Sequence, residues 1–471
     1  MSDTSVRYDV LVIGAGPAGQ KAAVQGAKAG QRVLIVERDK AVGGECVHRG
    51  TIPSKTLRES AIYLAGLKQR ASGLVRDNLS SETKVKSLMK RQGEVLASYE
   101  RYLTRQLERN GIELWHGRAR FVSPNEIEVT AVDGTKRRAQ AQIVLIATGS
   151  RPRKPADIPV DHEHILDSDS ILSLIYLPAS LVVFGAGVIA AEFATIFQAL
   201  GVAVTMVDKG ERPLSFLDAE ITNLFVAQFE KAGGRFLARQ KPVKVEADGL
   251  GKVVTELDGG ETICTEKALV ALGRIASLAG INLEAAGLAL NERGFLSVDA
   301  HCRTAVPHIY AAGDVIGPPA LATASMEQGR RAIRHALGLP LGTALETIPV
   351  GIYTVPEMAS VGLSEAEATQ RFGGAVVGRA HFAELARGQI NGDTEGLLKL
   401  VADPRGQKLL GAQIIGEGAA ELIHLAQMAL IGGLGIDAFV DNNFNFPTLA
   451  EGYRVAALEI AAQRTVLRAV G

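Results

Sequence analysis

The chain has 471 residues, of which 47% are hydrophobic and 22% charged, and its 51 lysine and arginine residues balance 51 aspartate and glutamate residues. This length predicts about three domains, and the neutral charge, without a long basic run, argues against binding to nucleic acid or an anionic membrane. No apolar stretch approaches the roughly 18 residues of a transmembrane helix.

Cysteine spacing and the start of the chain indicate the compartment. The three cysteines, Cys46, Cys264 and Cys302, are too widely spaced for a disulfide framework or a zinc-binding pattern. Residues 1–7 contain no hydrophobic signal core. We therefore expect a reduced, cytoplasmic protein without a metal site.

The chain opens with the pattern of a nucleotide-binding βαβ unit. Tyr8–Ile13 predicts a short buried strand, an alanine-rich helix extends to about Gly30, and Arg32–Glu37 predicts a second strand. Between the first strand and the helix lies a G-x-G-x-x-G motif formed by Gly14, Gly16 and Gly19.

The same order of elements recurs later in the chain. A strand is predicted at Leu181–Phe184, a helix ends before Gly201, and a second strand covers Ala203–Asp208. The corresponding motif positions are Gly185, Gly187 and Ala190. The repeat predicts a second nucleotide-binding unit.

Each copy ends in an acid about 20 residues after its glycines, which completes the dinucleotide fingerprint. The glycines let the backbone approach a pyrophosphate at a helix N-terminus, and Glu37 and Asp208 can accept hydrogen bonds from an adenosine ribose. Two copies therefore predict two dinucleotide sites. The alternatives are that the glycines serve only tight turns and that Glu37 is a solvated carboxylate.

Between and after the two copies lie further elements. Helices are predicted over residues 53–69 and 82–109, and a strand at Ala141–Ile146 leads into Thr148 and Gly149. A strand at Ile309–Ala312 precedes Asp314. From about residue 347 the composition changes to strands, followed by a helix-rich end.

The segment from Gly43 to Lys55 has the frame of a flavoenzyme helix built around a Cys-x4-Cys disulfide. Gly43 and Gly44 precede Cys46, but the second cysteine position holds Thr51. Threonine forms neither a disulfide nor a thiolate, so thiol–disulfide exchange is unavailable here. A helix start lowers a thiol pKa, but without a partner we expect Cys46 to be a small buried residue.

These segments, in this order and over essentially the whole chain, resemble the two-dinucleotide flavoprotein (pyridine nucleotide–disulfide oxidoreductase) family. The resemblance implies an α/β fold with two Rossmann-like three-layer dinucleotide-binding domains, for FAD and NAD(P), plus a C-terminal α+β dimerisation domain. The expected boundaries are 1–150 (FAD), 151–275 (NAD(P)), 276–346 (return to the FAD domain) and 347–471 (homodimerisation).

Two substitutions distinguish this chain from the disulfide reductases of the family. Their flavin-contacting cysteine corresponds to Thr51, and their catalytic histidine corresponds to Phe446, while the glutamate that orients this histidine remains as Glu451. Phenylalanine cannot transfer a proton, so both halves of thiol chemistry are missing. In these features the chain is similar to the soluble (Si-specific) transhydrogenases of the family.

This similarity implies FAD-dependent hydride exchange between NADPH and NAD in either direction, with both nucleotides using one nicotinamide site in turn. Two alternatives remain open. One is an NAD(P)H dehydrogenase that passes electrons to a quinone. The other is a flavin-bound regulatory or structural protein with slow turnover.

The resemblance assigns catalytic roles to Lys55 and Glu192. Lys55 would lie beside flavin N5, where its charge makes the flavin a better hydride acceptor, and Glu192 would offset its desolvation. The alternative is a surface lysine and a surface glutamate.

The resemblance also assigns the cofactor contacts. Expected FAD contacts are Gly14, Gly16, Gly19, Glu37, Gly43, Gly44, Cys46, Thr51, Lys55, Thr148, Gly149, Asp314 and Ala322. Expected NAD(P) contacts are Gly185, Gly187, Ala190, Glu192, Asp208, Lys209, Arg212 and Gly273. Asp314 would contact a ribityl hydroxyl, unless it caps the following turn, and Ala322 would begin a helix that faces the flavin.

Asp208 conflicts with NADP because its carboxylate would repel the 2′-phosphate. A transhydrogenase must accept both nucleotides, so a nearby cation has to offset the repulsion. Lys209 and Arg212 are the candidates, unless both are ordinary surface cations and the protein is strictly NAD-linked.

Overall fold

A computed structural model describes residues 5–70, 81–342 and 347–470. The elements up to residue 150 are β1 (Val6–Ile13), α1 (Pro17–Lys28), β2 (Val33–Glu37), α2 (Gly44–His48), α3 (Thr51–Arg70), α4 (Ser81–Arg109), β3 (Glu113–His116), β4 (Arg118–Ser123), β5 (Glu126–Thr130) and β6 (Lys136–Ile146). They belong to the N-terminal unit.

The inserted unit follows. Its elements, with the strands that connect it to the N-terminal unit, are β7 (Ser150–Pro152), β8 (Ile165–Asp167), β9 (Ser180–Phe184), α5 (Val188–Ala199), β10 (Ala203–Asp208), α6 (Ala219–Lys231), β11 (Arg235–Ala238), β12 (Pro242–Ala247), β13 (Val253–Leu257), β14 (Thr262–Thr265), β15 (Lys267–Val270) and β16 (Arg274–Ala276).

The chain then returns to the N-terminal unit through β17 (Ile309–Ala311) and α7 (Ala322–Ala336). The C-terminal unit contains β18 (Val350–Ile352), β19 (Met358–Gly362), α8 (Glu365–Phe372), β20 (Val376–His381), α9 (Ala386–Asn391), β21 (Leu397–Ala402), β22 (Leu409–Ile415), α10 (Ala419–Ile431), α11 (Asp437–Val440) and α12 (Glu451–Val470). Short 3-10 turns lie at Ser170–Ser173, Leu283–Ala286, Asp314–Ile316 and Phe382–Glu384.

The sheet of the N-terminal unit has the strand order β3-β2-β1-β6-β5-β4, with β17 beside the end of β6. Strands β1, β2, β3, β6 and β17 are parallel, and β4 and β5 form an antiparallel extension. Strand β6 is long enough to pair with β5 at its start and with β17 at its end. The carboxyl ends of β1, β2, β6 and β17 therefore meet at one edge, where open α/β sheets bind ligands.

Both faces of this parallel sheet are covered. Val10 and Val12 of β1 pack with helices α1, α4 and α7, whereas Leu11 and Ile13 pack with the antiparallel strands β4 and β5 and with residues of the neighbouring strand β6. A strand segment buried on two faces is apolar at consecutive positions, which explains the continuous hydrophobic run Val10–Ile13.

The inserted unit repeats this three-layer plan. Its parallel sheet has the order β11-β10-β9-β15-β8, and strands β12, β13 and β14 form a separate antiparallel sheet. Val183 and Met206 pack with helices α5 and α6, and Val182 and Val207 pack with the antiparallel sheet.

Strands β7 and β16 connect the two units as an antiparallel pair, with Arg274 opposite Pro152 and Ala276 opposite Ser150. The C-terminal unit is an antiparallel sheet of order β18-β19-β22-β21-β20, on which α10 and α12 pack. The predicted fold class is therefore confirmed. The domain boundaries at residues 150, 275 and 346 stay predictions.

Within residues 5–70, 81–342 and 347–470, no helix is long and apolar enough to cross a membrane.

Candidate functional site

One cavity of about 1140 Å³ lies at the carboxyl ends of both parallel sheets. It is larger than the roughly 300–1,000 Å³ of most small-molecule pockets, so its volume is suited to an extended ligand. The expected site residues that line it are Gly14, Gly16, Glu37, Gly44, Cys46, Thr51, Lys55, Thr148, Gly149, Gly185, Gly187, Glu192, Asp208, Lys209, Gly273, Asp314 and Ala322. Gly19, Gly43, Ala190 and Arg212 do not line it.

The glycines of the two fingerprints divide into turn positions and open positions. Gly14 has φ of 104°, and a Cβ there would lie 2.4 Å from the carbonyl oxygen of Ala147. Gly185 repeats this with φ of 108°. By contrast, a Cβ at Gly16 would meet its nearest atom at 4.0 Å, and one at Gly187 would meet nothing within 4 Å. The tight-turn alternative therefore explains Gly14 and Gly185 but leaves open space at Gly16 and Gly187, where a ligand can approach the backbone.

The other expected positions outside the cavity support its walls. A Cβ at Gly19 would lie 1.9 Å from the carbonyl oxygen of Gly14, so this glycine permits close packing of helix and strand. Gly43 donates its backbone N–H to the carbonyl of Ala15 at 2.9 Å, and Ala190 is fully buried. Gly19, Gly43 and Ala190 therefore have a packing role, and their direct contact with a cofactor stays a prediction.

The two fingerprint acids are held by backbone amides at the cavity. Glu37 is only 5% exposed, and its carboxylate accepts hydrogen bonds from Ala15 N at 2.7 Å and Asp39 N at 3.0 Å. The solvated-carboxylate alternative is therefore wrong. Asp208 is half-buried and accepts from Gly210 N at 2.6 Å.

Asp314 is linked by hydrogen bonds to strands β7 and β16, which connect the N-terminal and inserted units. Its Oδ2 accepts a hydrogen bond from Ser150 Oγ at 2.5 Å, and Arg274 Nε donates to the same hydroxyl at 2.8 Å. Asp314 lies inside the following 3-10 turn and does not cap it. Nearby, the buried Thr148 hydroxyl has no hydrogen-bond partner among the described residues. A buried unpaired hydroxyl that lines a cavity is suited to bind a polar ligand atom.

The Lys55 ammonium lies 2.5 Å from Glu192 Oε2 and joins helix α3 to helix α5. The side chain of Glu192 is 5% exposed and that of Lys55 is 23% exposed, so the surface-residue alternative is wrong for both. The second carboxylate oxygen, Oε1, accepts from Tyr353 N at 2.9 Å. The pair thus lies where all three units meet.

Cys46 is not activated. Burial raises the pKa of its thiol, although a side-chain hydrogen bond with Thr51 and the charge of Lys55 act in the opposite direction. The expectation that the helix start lowers this pKa is therefore wrong, because α2 has only five residues and desolvation dominates. Cys264 and Cys302 are also free.

Phe446 lies away from the cavity of its own chain. Its side chain is 75% exposed, and it is not among the lining residues. Glu451 accepts a 3.4 Å hydrogen bond from Thr448 N. Within one chain, Phe446 and Thr51 are therefore not brought together.

The Arg212 side chain lies outside the cavity. Its guanidinium donates to the carbonyls of Leu217 at 2.9 Å and Ser215 at 3.0 Å and to Thr222 Oγ1 at 2.6 Å. These turn carbonyls direct the side chain into a separate groove beside helix α6. Only Lys209 of the two expected cations lines the cavity with Asp208.

Several cavity residues carry no sequence motif. Lys241 lines the cavity beside Asp208, because Gln240 N donates to the Asp208 carbonyl at 3.0 Å and fixes the segment after β11. The C-terminal unit contributes Pro349, Gly351, Tyr353, Ala420, Ile423 and His424. The only signal for this contribution is the change to strand-rich composition near residue 347.

Comparison with known proteins identifies curated relatives. The chain is 42% identical over 461 residues to the soluble pyridine nucleotide transhydrogenase of Mycobacterium tuberculosis (strain ATCC 25177 / H37Ra), covering 96% of this chain and 97% of that protein. It is 42% identical over 462 residues to the protein of the same name from Hahella chejuensis, covering 96% and 98%.

Solved structures with the same fold include LpdA from Mycobacterium tuberculosis, with a TM-score of 0.89, 28% identity and coverage of 97% of this chain and 99% of that chain. The HOCl-induced flavoprotein disulfide reductase RclA from Escherichia coli has a TM-score of 0.86, 25% identity and coverage of 96% and 99%.

Two family models match the chain. The model described as pyridine nucleotide-disulphide oxidoreductase matches residues 8–329, and the model of the dimerisation domain of that family matches residues 348–457. The resemblance predicted from the motifs is therefore confirmed, and the chain belongs to the pyridine nucleotide-disulphide oxidoreductase family.

Proposed function

We propose that the protein is an FAD-dependent enzyme that exchanges hydride between NADPH and NAD in either direction. The observation that carries this proposal is the Lys55–Glu192 ion pair in a cavity bounded by two dinucleotide fingerprints, with Thr51 in place of a second cysteine. The names of the relatives, which are about 40% identical over nearly the whole chain, support it.

The first fingerprint fits FAD. The open position at Gly16 admits a pyrophosphate, Glu37 can accept from a ribose hydroxyl, and Asp314 and Thr148 offer polar atoms along the same cavity. When bound, FAD supplies a group that accepts hydride from one nucleotide and donates it to the next.

The protein residues provide orientation and charge. The Lys55 ammonium offsets negative charge that develops during hydride transfer, and Glu192 holds this ammonium in place. Helix α7 begins at Ala322, at the cavity, so its N-terminal N–H groups add positive potential. No side chain has to donate a proton in this step, because a hydride transfers the hydrogen nucleus together with both electrons.

Without a dithiol, the described residues that line the cavity offer no second electron-accepting group. NADPH and NAD therefore use the nicotinamide site next to Glu192 in turn, which is a ping-pong sequence. To accept both nucleotides, Asp208 binds the free ribose hydroxyls of NAD, and Lys209 and Lys241 bind the 2′-phosphate of NADPH.

The active assembly is a homodimer formed through the C-terminal unit, in the cytoplasm. The dimerisation-domain match supports the dimer, as do the exposed apolar side chains of Met428 and Ile431 on helix α10 and of Phe446. Apolar surface of this kind is typical of an interface between subunits.

One assay tests the proposed function. Purified holoprotein with NADPH and an NAD analogue is compared with the same protein given NADPH and a quinone. Faster turnover with the nucleotide acceptor supports transhydrogenation, and faster turnover with the quinone indicates a dehydrogenase. Failure of both NADH and NADPH to bleach the flavin would show that the protein is no nicotinamide-dependent enzyme.

A further inference from the structure

A segment of the C-terminal unit, Tyr353–Glu357, is fastened to helix α5 beside the ion pair. Tyr353 N donates to Glu192 Oε1 at 2.9 Å, and Val355 N donates to Thr195 Oγ1 at 3.0 Å. Glu192 and Thr195 are 4% and 1% exposed. Two buried side chains one helical turn apart therefore hold alternate amides of this segment.

Helix α3 fastens the same segment from the other side. Arg58, which is 4% exposed, donates through Nε to the carbonyl of Thr354 at 2.8 Å and pairs with Glu357 Oε1 at 2.9 Å. Glu357 Oε2 in turn accepts from Ala420 N at the start of α10 at 3.1 Å. Arg58 lies three residues after Lys55, so one helix face contributes both cations.

These anchors bring the Tyr353 ring to Lys55. The ammonium nitrogen lies 4.9 Å from the ring centre, within the range of a cation–π interaction. Besides Glu192, Ser54 Oγ at 3.4 Å is the only hydrogen-bonding neighbour of this ammonium found in the described residues. The ring therefore closes a side of Lys55 that would otherwise face the open cavity.

We propose that Tyr353 is a positioning residue: its ring fixes the Lys55 ammonium between the Glu192 carboxylate and its own face, so that the C-terminal unit completes the site of hydride transfer. This rests on the proposed function of Lys55. A lysine side chain has several rotatable bonds, so its ammonium can occupy many positions unless neighbours confine it. Confinement by the ring keeps its charge where the hydride arrives.

Tyr353→Leu removes the ring but keeps the backbone N–H to Glu192, and Tyr353→Phe keeps both. In stopped-flow experiments on the holoenzyme, we expect Tyr353→Leu to reduce its flavin about 3- to 30-fold more slowly with NADH and NADPH alike. Its nucleotide affinity and FAD content should stay unchanged. The midpoint potential of the bound FAD should become more negative, because the charge that favours the reduced form is less well placed. Tyr353→Phe should match wild type in rate and potential.

Thr195→Val provides a second route if Tyr353→Leu fails to fold with FAD. Thr195 lies outside the cavity, and its substitution leaves Val355 N without its hydrogen-bond acceptor. We expect the same loss of flavin reduction rate with NADH and with NADPH. A Leu variant with unchanged rate and potential would overturn the proposal, as would equal losses in the Leu and Phe variants. Failure of transhydrogenation itself is distinguishable, because the reduction rate and the potential do not depend on the acceptor.

Discussion

The Lys399 ammonium lies 3.1 Å from each carboxylate oxygen of Asp218. Lys399 belongs to strand β21 of the C-terminal sheet, and Asp218 caps helix α6 of the inserted unit. Glu220 at 2.9 Å and Glu365 at 2.6 Å complete the surroundings of the lysine, whose side chain is 2% exposed. This cluster ties the inserted unit to the C-terminal unit.

The cluster predicts a pH dependence of stability. Burial raises the pKa of Glu220, but hydrogen bonds from Arg379 and Lys399 outweigh it and hold this pKa at about 2, against an ordinary value of 4.5. A carboxylate whose pKa is lower in the folded state than in the unfolded state stabilises the fold at pH values above its unfolded-state pKa. This contribution is lost as the pH falls through its folded-state pKa. Glu220→Gln should therefore lower Tm at neutral pH, and its difference from wild type should shrink between about pH 5 and about pH 2.

The control for this prediction is Glu230→Gln, which changes an exposed residue of the same helix. Thermal unfolding followed by circular dichroism should give this variant the Tm of wild type throughout. A Tm loss in Glu220→Gln that does not vary with pH would contradict the assignment of the depressed pKa to Glu220.

Thr51 predicts a capacity of two electrons per FAD. Cys46 has no second thiol beside it, and burial raises its pKa. Anaerobic titration with NADPH should end at one equivalent, without the long-wavelength absorption of a thiolate beside oxidised flavin. Consumption of a second equivalent, or appearance of that band, would mean that another redox group is present.

Restoring the cysteine alone should not restore disulfide reduction. Thr51→Cys can form a disulfide with Cys46, but Phe446 provides no general acid for the leaving thiol. General acid–base catalysis contributes about 10²–10⁴-fold, so lipoamide and glutathione disulfide should remain very poor substrates of the variant. Robust turnover would show that Phe446 is wrongly assigned.

Lys55→Met should retain FAD and slow flavin reduction by NADH and NADPH to a similar extent, because the lost charge acts on the hydride step common to both. Stopped-flow absorbance measures both rates. Lys86→Met, at an exposed position of helix α4, is the matched control. Rates for Lys55→Met within about twofold of wild type would remove Lys55 from the mechanism.

Nucleotide choice should depend on Lys209 and Lys241. Replacing both by Ala should lower kcat/KM for flavin reduction by NADPH much more than by NADH, because the 2′-phosphate loses its cations. Asp208→Ala should do the reverse. Arg212→Ala, a cation held outside the cavity, should show no such selectivity. A wild-type protein that cannot use NADPH would leave NADH dehydrogenase as the function.

The strands and the dinucleotide fingerprints could be predicted because the hydrophobic pattern and glycine spacing of adjacent residues determine them. The strand predicted at Ala203–Asp208 has the observed bounds of β10, and the helices predicted over residues 53–69 and 82–109 match α3 and α4 within two residues. Lys55 and Glu192 were identified only through the family resemblance, since nothing local distinguishes them from surface residues.

Tyr353, Arg58 and Lys241 were missed because their partners are distant in sequence. The hydrogen bond between Tyr353 and Glu192 spans 161 residues, and that between Arg58 and Thr354 spans 296. The position of the Arg212 guanidinium could not be predicted, because it depends on turn carbonyls that only the folded chain brings to it. Proximity in sequence to Asp208 therefore did not place the Arg212 guanidinium in the same cavity.

Pairing of β7 with β16 has a consequence for modularity. Since Pro152 lies opposite Arg274, the chain enters and leaves the inserted unit through two adjacent strands. A short loop could join these ends without moving β6 or β17, and a foreign α/β module with adjacent termini could be grafted at the same junction. The N-terminal unit would then keep its own dinucleotide fingerprint while the second fingerprint was exchanged for another.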